Sequence, residues 1–134
     1  MKFARITFIA AGTIGILVLI PLYFQLEKMG TDSPPAITHP EYYYGFVGVA
    51  LAFQLVFIII STDPWKYRPL MLAAIFEKLA FVVPTFYLYS QGSPLGTIII
   101  GALLDLMWAI LFVASYFKVG PRNSDMKLAS EAEH

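Results

Sequence analysis

The chain has no cysteine. Disulfide exchange, thiolate catalysis, thiolate-held metals and covalent haem attachment are excluded with it. It has only two histidines, His39 in a loop and His134 at the end, so a bis-histidine haem inside a membrane has no ligands. No metal and no cofactor is expected. Charge is scarce, at 13% of residues against the roughly 25% usual in soluble proteins. The formal net charge is zero, and no basic tract points to nucleic acid. P-loop, zincin, Gly-x-Ser-x-Gly and cysteine-pair signatures are all missing.

Apolar residues fill the space that charge leaves, at 58% of 134 residues. A soluble core of that size could not hide so much apolar surface, whereas a bilayer can. Four apolar segments stand out, about Arg5–Leu26, Pro40–Ser61, Pro69–Ser90 and Pro94–Phe117. Each matches the ~20 residues that cross ~30 Å of hydrocarbon at about 1.5 Å per residue. They are apolar all round and lack the alternation of barrel strands. The expected fold is therefore an all-α membrane protein, a four-transmembrane-helix bundle occupying residues 1–121, with a polar tail over 122–134.

Local punctuation supports these bounds. Gly30, Asp32, Ser33, Pro34 and Pro35 make a loop that ends at Pro40, with Glu41 in the next first turn. Ser61 to Pro69 is a short turn. Gly92, Ser93 and Pro94 suit a helix stop, a cap and a new helix start. Lys2 and Arg5 before the first apolar run resemble a signal peptide. The run is too long for one, and no Ala-x-Ala-like site follows it, so a retained helix is expected.

Orientation follows from the basic residues. Four crossings put Lys2, Arg5, Lys66, Arg68, Lys118, Arg122 and Lys127 on one side and only Lys28 on the other. Both termini are thus expected in the cytoplasm, with the protein in a bacterial inner membrane. Tyr23, Tyr42–Tyr44, Tyr87 and Tyr89 mark one interface, and Trp65, Tyr67 and Tyr116 the other.

Three ionisable residues interrupt the spans: Glu77 and Lys78 in the third and Asp105 in the fourth. Each costs roughly 2.5–3.5 kcal/mol on insertion scales, so such residues pair internally or serve a function. Glu77 shares a helical stripe with Ala73, Ala74 and Phe81. Asp105 shares one with Gly101, Ala102, Trp108 and Ala109. Small residues let helices approach, which turns both carboxylates inward. A Lys78–Asp105 ion pair is the simplest arrangement. It leaves Glu77 as a carboxyl expected to hold a proton, hydrogen-bonded to Gln54. Alternatively Lys78 snorkels to the headgroups, and the carboxylates and Gln54 merely join helices. Gln54, Glu77, Lys78, Asp105 and Trp108 are the candidate ligand-binding or proton-binding residues. The Gly45, Gly48 and Ala52 face suits close packing within the chain or a homodimer. Pro84 is expected to kink the third span.

The Tyr44, Gly45, Gly48 stretch and the Asp63–Pro69 turn, within this layout, resemble small bacterial four-helix membrane proteins of the broad DoxX-like kind. Some of that group are linked to respiratory quinone chemistry. Glu77, Asp105 and Trp108 are also similar, more loosely, to the acidic-aromatic cavities of four-helix sterol-isomerase-like sensors. The expected function is binding of a lipid-like ligand or a membrane-protein partner in the bilayer. A membrane enzyme using carboxylate acid/base chemistry on an apolar substrate, or a small dimeric proton-coupled transporter, is the alternative.

Overall fold

Low polarity and helix-length apolar runs leave the backbone one way to satisfy its hydrogen bonds without water, which is within each segment. The computed structural model describes residues 1–121 and is all-helical there. The tail expected from Arg122 to His134 lies outside the described residues. The elements are α1 (Lys2–Tyr23), α2 (Leu26–Asp32), α3 (Pro40–Thr62), α4 (Arg68–Ser90) and α5 (Ile98–Val119). All but α2 are long and apolar enough to cross a membrane.

Three boundaries differ from those expected. The first span begins three residues earlier, at Lys2, and stops at Tyr23. The segment after it makes a separate helix of about two turns, α2, which the sequence pattern did not signal. It folds back tightly, since a β-carbon on Gly30 would lie 3.3 Å from Ala36 Cα. The last span starts at Ile98 and not at Pro94. Gly96 adopts a φ of 52°, a left-handed value that interrupts the helix. A β-carbon there would lie 2.9 Å from Ser33 Oγ, so the α4–α5 turn sits against the α2–α3 loop.

The helices form a ring in the order α1, α3, α4, α5. α1 with α3, and α4 with α5, are the closely packed antiparallel pairs. The start of α1 and the end of α5 meet at one end of the bundle, where Lys118 Nζ lies 4.1 Å from the centre of the Phe3 ring. α4 continues through Pro84.

The core lies toward that end. Phe8, Phe57 and Phe112 come from α1, α3 and α5 and are fully buried. Phe8 stacks on Phe112 with centroids 4.3 Å apart, and Phe57 meets Phe112 edge-on at 4.9 Å. Ala4, Ala11, Ile60, Met71 and Ala74 complete the cluster. Between helices already in lipid, contact of this kind holds by dispersion and shape more than by water exclusion.

The α1–α3 pair depends on glycine. A β-carbon on Gly12 would lie 2.8 Å from Ile58 Cγ1 and 2.9 Å from the Gln54 carbonyl oxygen. One on Gly15 would overlap the Gln54 side-chain amide. Tyr43 adds a hydrogen bond from its hydroxyl to the Leu22 carbonyl near the end of α1. By contrast, β-carbons on Gly45 and Gly48 would meet nothing within 4 Å. That small-residue face, expected to suit close packing, looks outward from the chain, and the close helix contact is made by Gly12 and Gly15.

Only 22% to 33% of the residues in each span's apolar window are buried. Leu17, Phe76, Val83 and Phe117 are among the large apolar side chains left outside. An uncovered apolar belt of that extent suits a bilayer rather than water.

Candidate functional site

Lys78 lies on the face of α4 that points into the bundle and is 6% exposed. Ionising an amine at that depth needs counter-charge. α5 provides Asp105, whose Oδ1 lies 3.0 Å from Lys78 Nζ. α4 itself provides Glu77, whose Oε2 lies 3.2 Å from the same nitrogen. Adjacent helix positions differ by about 100°, so the flexible lysine stem must reach back to serve both acids. Phe57 of α3 presents its ring 5.3 Å from Nζ, within cation–π range. The ammonium is therefore enclosed by groups from α3, α4 and α5. It does not reach toward the headgroups, which settles the snorkelling alternative.

The triad is unbalanced, with two carboxylates to one ammonium. Glu77 Oε2 is buried and lies at ion-pair distance from Lys78 Nζ. The Asp105 side chain is 24% exposed and that of Glu77 14%, so the acidic side of the triad is reachable from the bundle surface.

Of the five candidates, the structure brings Glu77, Lys78 and Asp105 together. Gln54 is elsewhere. It is 1% exposed, lies against Gly15 of α1, and donates through Nε2 to the Ala50 carbonyl 2.8 Å away on its own helix. The expected Gln54–Glu77 hydrogen bond is therefore not formed, because α3 turns that side chain toward α1. Trp108 packs against the apolar core, its ring 6.3 Å from Phe112. Phe57 was not foreseen. Its position one helical turn from Gln54 is the only clue in the sequence, and nothing there distinguishes it from other core phenylalanines.

A second group of contacts lies at the end where α1 begins and α5 ends. Arg68 Nε donates to the Tyr116 carbonyl at 3.2 Å, and its guanidinium carbon lies 3.8 Å from the Tyr116 ring centre. Asp63 Oδ1 accepts from the Lys66 backbone N–H at 3.1 Å and so shapes the α3–α4 turn. At the opposite end two shallow hollows of about 360 and 350 Å³ lie beside Tyr44. One is lined by Tyr23 and Phe24, the other by residues Phe24 to Lys28. Neither includes a residue of the triad.

The chain matches no protein-family model, no curated protein and no solved structure. The fold and the triad define a class only: a four-helix bundle with membrane-spanning dimensions and an ionisable cluster between its helices.

Proposed function

We propose that this chain is a non-enzymatic integral membrane protein that receives the polar group of a lipid-like ligand, or of a membrane-protein partner, at the Glu77–Lys78–Asp105 triad. The observation that carries this is the excess of acceptor over donor. One lysine faces two acidic side chains, at 3.0 and 3.2 Å. The carboxyl oxygens of two acids offer more acceptor sites than the three N–H groups of one amine can fill. A hydroxyl, amide or amine brought by a bound group would supply what is lacking. The partial exposure of Asp105 gives that group a way in. In this reading both termini face the cytoplasm of a bacterial cell, by the distribution of lysine and arginine. The DoxX-like likeness is carried forward on the four-helix layout alone.

Native mass spectrometry of the protein, taken gently from its own membrane, tests the reading. A stoichiometric companion is expected on the wild type and absent from folded Asp105→Asn or Glu77→Gln protein. A bare chain, or a companion kept equally by both variants, refutes it.

A further inference from the structure

We propose that the end of the bundle where α1 begins and α5 ends carries a binding site for anionic phospholipid headgroups, built on Arg68 and Lys118. Side-chain charge is sharply divided along the bundle axis. Among the described residues, Lys2, Arg5, Lys66, Arg68 and Lys118 occupy this end against Asp63 alone, and Glu27, Asp32 and Glu41 occupy the other against Lys28 alone. A leaflet of anionic lipid is attracted to the first end and repelled by the second.

Within the basic end, Arg68 is the residue held ready. Its Nε–H is used on the Tyr116 carbonyl and its plane rests near the Tyr116 ring. Among the described residues neither Nη amino group donates a hydrogen bond, which suits both to phosphate oxygens. A guanidinium fixed in this way loses little freedom on binding, and its paired N–H groups match two phosphate oxygens. Lys118 follows Tyr116 by two residues and is held over Phe3, which Lys2 and Arg5 flank on α1. Cations from α4 and α5 thus lie about the last turns of α5.

The chemistry sought is a phosphate, and its setting selects a lipid. The site lies at the ends of spanning helices, with Phe117 and Trp65 exposed nearby. Aromatic residues at that level sit among headgroups. A phospholipid can place its phosphate on Arg68 and its chains along the exposed apolar flank of the bundle.

The test uses the full chain in nanodiscs made of equal parts phosphatidylcholine and phosphatidylglycerol, with the retained lipids counted by native mass spectrometry. Phosphatidylglycerol is expected to be enriched on the protein. Each near-surface cation contributes about fivefold to anionic-lipid binding, so Arg68→Gln and Lys118→Gln should each weaken retention about fivefold. Together they should weaken it about 25-fold if their effects are independent. Lys28→Gln, at the other end, should change nothing, and added salt should weaken the wild type. Arg68→Lys keeps the charge but not the fork, and should retain less lipid than wild type and more than Arg68→Gln. The proposal is overturned if the double variant retains phosphatidylglycerol like wild type, if Lys28→Gln loses as much, or if phosphatidylcholine is retained equally. Should Arg68→Gln fail to fold, the exposed Lys118 decides alone: a fivefold loss in Lys118→Gln supports the site and an unchanged count removes it.

Discussion

Substituting Gly12 by alanine adds one methyl group at the tightest approach of α1 to α3. The new carbon would lie 2.8 Å from Ile58 Cγ1 and 2.9 Å from the Gln54 carbonyl oxygen. The first neighbour can rotate, but the second is backbone, so the helices themselves must separate. Overpacking of this kind costs about 1–3 kcal/mol. Alanine also recovers up to about 1 kcal/mol of helix propensity relative to glycine. Gly48→Ala supplies the control, because its new carbon meets nothing within 4 Å while the propensity gain is the same. The two variants should therefore differ by about 1–3 kcal/mol, with Gly12→Ala the less stable. Reversible unfolding of the full chain in mixed micelles, by increasing the fraction of denaturing detergent, reads this difference through circular dichroism and tryptophan fluorescence. A further comparison locates the strain. The three atoms nearest a β-carbon on Gly15 all belong to the Gln54 side chain, so Gln54→Ala should relieve Gly15→Ala and leave the Gly12→Ala defect in place. Equal losses at positions 12 and 48, or a larger one at 48, would refute α1–α3 as the glycine-dependent contact. A larger loss at 48 would place the close approach on the outer face of α3.

Two other substitutions probe the remaining contacts. Lys78→Met removes the cation from between Glu77 and Asp105. It should cost about 3 kcal/mol, the lower end for breaking a buried ion pair. The triple change Lys78→Met, Glu77→Gln, Asp105→Asn should recover most of that in the same unfolding assay; failure to recover would mean that Lys78 acts through its apolar stem. Tyr43→Phe deletes the hydrogen bond to the Leu22 carbonyl, which also accepts from the Gln25 N–H. The loss should be about 0.5–1 kcal/mol, with faster amide exchange at the end of α1; unchanged exchange there would show that the contact is not maintained.

How much of this was legible beforehand depends on the range of each interaction. The four spans could be read because length and polarity are local properties, and a backbone without water can only close its hydrogen bonds within the segment. Lys78 and Asp105 could be paired on paper because one cation and few anions lie at membrane depth, and a tight turn forces α4 and α5 together. The partner of Gln54 could not, because the rotation of α3 about its own axis is set by what α1 offers opposite it. Gly15 on α1 admits the Gln54 side chain and Gly12 the Gln54 carbonyl and Ile58, and the small-residue face of α3, formally the better packing motif, is left outside. α2 and the late start of α5 were missed together for a related reason: the two end loops rest on each other at Gly96 and Ser33, a contact between residues far apart in the chain.

By itself, then, the sequence determined the class of the protein: its four apolar helices, their antiparallel order, and the three charges they carry between them. These follow from transfer free energy and chain connectivity, which need no knowledge of neighbours. Only the tertiary structure decided which face of each helix is buried, that Lys78 is shared by two acids under Phe57, and that Arg68 is fixed on Tyr116. Each of these depends on the rotation and spacing of helices packed side by side. Helices that are apolar all round leave that choice to steric fit, and steric fit exists only between surfaces already brought together.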